Sequence, residues 1–265
     1  MYTKEDLKRQ LSQAGLDPAS TVMVHASVKS VGPLENRGDT LLDALLEYFA
    51  SGLLLFPTHT WDHVSSSTRQ YDPASSVPCV GLLPKLALQR PRVKRSLHPT
   101  HSVAAFGERA EEYIRGEEYA GSPAPVSGCW GRLYDENAKI LLIGVGQNRN
   151  TYLHSVDERL QIPERISEKP VLLSIHMPDG SWKEFPFRTH FNPHTNDVSQ
   201  FYVKLEDAFR RGGAVRDFQL GDATVQLCDA RLCCHIEEEI WKKADFDIAI
   251  DDRPIPVEWY PAQCR

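Results

Sequence analysis

No apolar run in this sequence approaches the roughly 20 residues that a membrane-spanning helix needs. There is no basic stripe, and the formal net charge is −6. Proteins that read nucleic acid cluster lysine and arginine against phosphates, so the balance argues against that class. Six cysteines occur (Cys79, Cys129, Cys228, Cys233, Cys234 and Cys264), but none forms a CxxC pair. They therefore specify neither a zinc ribbon nor a disulfide framework, and read as reduced, mostly buried thiols. The segment Met1 to Asp6 lacks the apolar stretch of a signal peptide, so a cytoplasmic protein is expected. GxGxxG, GxxxxGK(S/T) and GxSxG are all missing. Dinucleotide, P-loop and α/β-hydrolase readings thus lose their fingerprints.

What remains is an ordinary globular composition, 41% hydrophobic and 25% charged over 265 residues. That length is enough for one large domain and its core. Thr3 and Asp6 form a capping-box pattern before Leu7 and Leu11, which predicts a first helix. Residues 21–24, 53–56, 102–106 and 139–145 read as buried strands, and Asp39-Thr40 as the cap of a helix between the first two. Charged residues 109–118 and residues 151–160 read as helices. Residues 61–78 read as a long polar loop, and 121–128, with two prolines and two glycines, as irregular. Beyond Pro163 the character changes. Asp179-Gly180 and Gly221-Asp222 each sit between strand-like runs and predict hairpins. Helices are expected over 200–211 and 232–243, then a proline-rich coil from Pro254. The expectation is an α/β fold. It has a mainly parallel central sheet with helices on both faces, and a more antiparallel C-terminal part. Residues 1–265 read as one domain, an α/β core to residue 165 and a second subregion over 166–265.

Histidines concentrate the chemistry. His25, His59 and His154 each follow a predicted strand, and the carboxyl ends of strands form the ligand crevice of open α/β sheets. The pairs His59/His63 and His190/His194 have the i,i+4 spacing of metal ligands on a helix, although Pro57 and Asn192-Pro193 disfavour helix at both. A metal-dependent hydrolase built on these four histidines stays open as an alternative, as does a non-catalytic binding or scaffold protein.

Three segments then carry a resemblance. His25-Ala26-Ser27 through Gly32 is similar to the HxSxxxxG segment of the aminoglycoside N3-acetyltransferase family. Arg95 to Gly107 resembles that family's RSxHPxxSxxAxG segment, and Lys139 to His154 its KxLLLGxxxxxxTxLH segment. The resemblance implies a transferase that moves an acetyl group from acetyl-CoA to a small-molecule amine, with no metal. CoA is expected in residues 1–165, where Ser27, Ser30 and the Val31-Gly32 backbone offer hydroxyl and amide donors to its phosphates and Arg95 and Lys94 offer cations. The resemblance sets His98 and Ser102 beside the thioester, and the acceptor in 166–265. His154 falls on the family's TxLH histidine and is the expected general base, because an ammonium must lose a proton before it attacks a thioester. Asp157 and Glu158 are three and four residues on, where helical spacing lets either orient the imidazole. Thr58, Ser102 or backbone amides could meet the oxyanion. Aminoglycosides are polycations, which suits an acidic surface. Cys129-Trp130 departs from the family's more usual proline-tryptophan.

Overall fold

The computed structural model describes residues 1–64 and 68–261. Its strands in chain order are β1 (Thr21–Ala26), β2 (Leu53–Pro57), β3 (Gln70–Tyr71), β4 (Lys94–Arg95), β5 (Val103–Phe106), β6 (Lys139–Ile143), β7 (Val171–His176), β8 (Trp182–Phe187), β9 (Val215–Leu220) and β10 (Ala223–Asp229). Seven of them form one sheet in the order β4-β5-β2-β1-β6-β10-β9, and β3, β7 and β8 form a small second sheet.

The central strands are apolar on both sides, with the period of two that a pleat imposes. Val22, Val24, Leu54, Phe56, Leu141 and Ile143 point to one core. There they meet Leu7 and Leu11 of α1 (Lys4–Gln13), Leu41 and Leu45 of α2 (Arg37–Tyr48), and Leu83. Met23, Leu53, Leu55, Ile140 and Leu142 point to the opposite core, against Trp130, Leu153, Phe209 and Ile236. The short helices α3 (Trp61–His63), α4 (Leu83–Ala87) and α5 (Ala110–Tyr113) precede α6 (Cys129–Asp135), α7 (Tyr152–Arg159), α8 (Glu206–Arg211) and α9 (Ala230–Trp241). The second core lies among α6, α7, α8 and α9. Helices thus cover both faces, as continuous apolar strands require.

The α/β class and the flanking helices are as the sequence predicts, and so are both hairpins. Parallel pairing, however, is confined to β1 with β2 and β1 with β6 in the central sheet. The neighbours β5, β4, β10 and β9 all pair antiparallel, so the sheet is mixed. A strand buried on both faces reads the same in either direction, so its sequence carries no sign of its polarity. The second hairpin joins the central sheet, which therefore draws strands from both sides of residue 165.

Local readings shift in a few places. The capping box at Thr3 forms. Helix α2 starts earlier than Asp39-Thr40 suggests, and Thr40 Oγ1 instead accepts a bond from the Asn36 amide at 2.7 Å. Residues 198–205 wind as a 3₁₀ helix ahead of α8. The predicted loop 61–78 contains α3 and β3, and β3 pairs parallel with β7. The Ser65-Ser66-Ser67 part of that loop, and Cys264, lie outside the described residues. Cys129, Cys228, Cys233 and Cys234 are buried and unbridged, and Cys79 is half-buried.

Strand direction decides which strand ends meet. The carboxyl ends of β1, β2 and β6 lie together, and antiparallel β5 brings its amino end to the same edge, with Pro57 opposite Val103. Gly144 ends β6 there at φ 62°, where a methyl group would stand 2.3 Å from Ser30 Cβ. Gly144→Ala is expected to lose about 1–3 kcal/mol, from left-handed strain and overpacking, in chemical unfolding.

Candidate active site

At this edge of the sheet a chain of imidazoles gathers around Trp130. His25 is the penultimate residue of β1, His59 follows β2, His101 precedes β5, His154 lies in the first turn of α7, and His190 follows β8. Ring centroids stand 4.7 Å apart for His59 and His101, 4.9 Å for His101 and His190, and 4.2 Å for His190 and His154. Trp130 lies 5.3 Å from His59 and anchors itself by donating Nε1–H to the His101 carbonyl at 2.9 Å. Burial disfavours imidazolium. It pushes His25 down to about 3 and His98 and His190 to about 4. His59, His101 and His154 also fall well below the ordinary histidine value, from burial first and then neighbouring positive charge.

His154 is the imidazole with a built relay. Its Nδ1 lies 3.0 Å from Tyr202 Oη, and Tyr202 Oη lies 2.6 Å from Asp157 Oδ2. Asp157 Oδ2 also accepts Arg165 Nε–H at 2.9 Å, and Arg165 reaches on to Asp247 with both terminal nitrogens at 2.8 and 2.7 Å. Tyrosine carries one hydroxyl proton, and the short bond to the carboxylate takes it. The Tyr202 oxygen is then an acceptor, and His154 Nδ1 must carry the proton that faces it. That tautomer leaves the Nε2 lone pair for a reactant. A neutral imidazole held in one tautomer, with a carboxylate behind it, can accept a proton at its free nitrogen.

The two acids expected to orient His154 divide. Asp157 does so, but through Tyr202 and not directly. Glu158 turns away to accept Ser122 Oγ–H and the Ala124 amide, at 2.8 Å for the latter, and so pins the irregular segment 121–128. His98 is not placed as a reacting group. Its Nδ1 accepts the Thr100 and His101 amides at 3.2 and 2.9 Å, and Nε2 donates to the Ser122 carbonyl at 2.9 Å. With both nitrogens occupied it clamps the turn that carries His101.

The expected CoA contacts divide too. Ser27 and Gly32 line a cleft of about 600 Å³ between the turn after β1, the start of α2 and residues 81–82. Ser30 Oγ donates to Ser27 Oγ at 2.8 Å, and Val31 is buried in the core below. Lys29 and Arg37, which no sequence motif singles out, bring two cations to the same cleft. Arg95, Thr58 and Ser102 lie elsewhere. Arg95 donates to the Thr58, Ser76 and Pro73 carbonyls at 3.0, 2.6 and 3.1 Å, and to Ser102 Oγ at 3.3 Å. Thr58 and Ser102 are fully buried and bonded to each other at 2.8 Å. This knot braces the segment from β2 to His59 and leaves no guanidinium edge for a phosphate. Lys94 pairs with Glu111 at the surface.

The four histidines of the metal alternative are not brought together. His63 bonds Asp62 at an exposed site, and His194 faces Glu164 at 3.8 Å in solvent. Among the described residues no group of three or more His, Cys, Asp or Glu is placed to hold a metal.

The sequence profile of aminoglycoside 3-N-acetyltransferases matches residues 23–242, a span that contains both the cleft and the relay. The chain belongs to that family of acyltransferases. Aminoglycoside N(3)-acetyltransferase IV of Salmonella is 32% identical over 175 residues, 65% of this chain and 65% of that relative. The match thus spans just under two thirds of that relative's length. A solved structure of aminoglycoside acetyltransferase AAC(3)-IVa, a mutant in complex with gentamicin, is 25% identical with a TM-score of 0.74. It covers 88% of this chain and 86% of its own. AAC-IIIb, solved with CoASH, is 22% identical with a TM-score of 0.79 over 91% of this chain and 97% of that one, and so shares the fold.

The buried imidazoles make stability depend on pH. An unfolded histidine titrates near 6.5, so below that value the unfolded chain binds protons that the native cluster refuses. Native stability is therefore complete above about pH 6.5 and falls as pH drops toward the folded values of about 3 to 4. His25→Phe, a neutral ring in the same place, is expected to flatten the slope of unfolding free energy against pH. The change should be roughly 1.4 kcal/mol per pH unit between pH 6 and 4, read from urea titrations.

Proposed function

We propose that this protein transfers the acetyl group of acetyl-CoA to an amino group of an aminoglycoside, at the 3-N position, or of a similar polyamine-like molecule. His154 is the general base of a direct attack. The observation that carries this reading is the relay from His154 Nδ1 through Tyr202 to Asp157, which leaves Nε2 unprotonated. The amine lone pair attacks the thioester carbon, and His154 Nε2 takes a proton from the attacking nitrogen. The C–S bond then breaks, and CoA leaves as its thiolate. The cleft beside Ser27, Lys29 and Arg37 suits a donor with an apolar arm and phosphates, because two cations flank its apolar walls. Family membership supports the same donor.

Among the described residues, Cys129 and Cys79 offer no nucleophile for an acyl-cysteine route. Cys129 is fully buried and its thiol is pushed well above the usual range by burial. Half-buried Cys79 is pushed up to about 11, chiefly by burial, so it holds almost no thiolate at neutral pH.

On this reading residues 1–165 hold the donor and 166–265 complete the acceptor side, and His190, Tyr202 and Asp247 all reach the site from the second part. Among the described residues no helix is long and apolar enough to cross a membrane. We read the protein as cytoplasmic, where acetyl-CoA is made and antibiotic resistance by acetylation would act.

The test is thiol release from acetyl-CoA against a panel of amines that includes aminoglycosides. Acetylation of an aminoglycoside at 3-N supports the reading, and donor binding without thiol release for any amine would make the protein a CoA binder only. A positioned base contributes about 10²–10⁴-fold, so folded His154→Ala should lose that much kcat with donor affinity kept. Tyr202→Phe keeps the ring and removes the relay. It should lower kcat about tenfold or more at unchanged acetyl-CoA KM, and near-parental turnover would take Tyr202 out of the mechanism.

A further inference from the structure

Behind Tyr202 lie two carboxyl oxygens that no donor reaches. Asp157 spends Oδ2 on both Tyr202 and Arg165, while its Oδ1 is buried without a partner. Glu237 of α9, 1% exposed, accepts Trp241 Nε1–H at 3.4 Å on Oε1, while its Oε2 is likewise buried and unpartnered. Glu237 lies close enough to Asp157 for the Asp157 charge to raise its carboxyl. If both were ionised, two acceptors would face one another in the interior with no proton between them, an arrangement that buried polar groups avoid. A single proton satisfies both atoms.

We propose that Glu237 is a neutral carboxylic acid in the working protein, that its Oε2–H donates to Asp157 Oδ1, and that Glu237 is thereby a positioning residue for His154.

Asp157 is the wrong place for that proton. Burial raises the Asp157 carboxyl too, but its Oδ2 receives a guanidinium N–H and a phenol O–H, both of which favour the ionised form. Glu237 receives one long indole bond and no ion pair. Burial and the Asp157 charge both push the Glu237 carboxyl well above the usual range. The other groups facing it are Tyr152 of α7, Tyr202, and Cys233 and Cys234 on its own helix, all raised by burial and neutral. Arg165 is the cation in reach, and its hydrogen bonds go to Asp157 and Asp247. With donors on both oxygens, Asp157 is fixed in one rotamer and is too weak a base to take the Tyr202 proton. Tyr202 Oη then stays an acceptor for His154 Nδ1–H, and Nε2 keeps its lone pair.

The inference uses the acyl-transfer reading only for its kinetic arm. The direct arm is an infrared difference spectrum, in D₂O, of the intact parent against Glu237→Gln. The expected result is loss of the carbonyl stretch of a protonated carboxylic acid, and loss of a carboxylate band in its place would overturn the proposal. Glutamine keeps a donor toward Asp157 and an acceptor toward Trp241. Kinetically, Glu237→Gln should stay within about twofold of the parent in kcat and in its acid limb, since the hydrogen bonds survive. Glu237→Met removes the donor. It should lower kcat about tenfold at unchanged acetyl-CoA KM, and move the acid limb to higher pH because Asp157 then protonates more readily. Equal losses in both variants would show that an ionised Glu237 is required, which refutes the proposal. If the parent acetylates no amine, the acyl-transfer reading fails while the infrared arm still decides the state of Glu237.

Discussion

The ion pair between Asp157 and Arg165 is the constraint on which the site is assembled. Both side chains are almost wholly buried, and Arg165 Nε meets Asp157 Oδ2 at 2.9 Å. A lone charge at that depth would cost several kcal/mol, so each partner makes the other tolerable. Arg165 has more donors than Asp157 can accept, and the remainder hold Asp247 beyond the last helix. Through this one guanidinium, the loop after α7 and the segment after α9 are bound to the same point. Tyr202 donates to the same carboxylate oxygen as Arg165, and His154 closes on Tyr202.

The sheet supplies the other half of the arrangement. Three parallel strands end at one edge, and β5 begins there, so His25, His59 and His101 arrive from strands distant in sequence. Crowding six imidazoles into a desolvated pocket would be ruinous if they were charged. Burial prevents it by disfavouring the charged form of each ring, and charge on neighbouring groups would lower several of them further. The same neutrality ties the stability of the core to pH, and on the proposed reading it also lets His154 accept a proton.

Several residues that look reactive in the sequence act mechanically. His98, Arg95, Thr58 and Ser102 form a polar layer under the histidine edge, with their polar atoms bonded to backbone or to one another. Glu158 ties the segment 121–128 to α7. These residues hold turns whose own backbone groups would otherwise be buried without partners. Residue types suited to catalysis serve as well for such bracing, and a motif does not say which use is made of them.

The sequence by itself determined the α/β class, both hairpins, the capped first helix and the family, and it singled out His154 as a candidate. Each is written in short-range pattern: apolar runs, a two-residue turn, a TxLH string. It also named Ser27 and Gly32, because the turn after a first strand is local. Strand direction was beyond it, since a strand buried on both faces has no polarity in its residue types. So were Tyr202, 48 residues from its histidine, and Lys29 and Arg37 as partners in one cleft. Helical spacing put Asp157 and Glu158 equally near His154, and only packing separated them. Arg165 drew one inward while Ser122 and Ala124 drew the other away. A side chain's hydrogen-bond partner is set by which donors tertiary contacts bring within about 3 Å, and sequence separation carries no information about that distance.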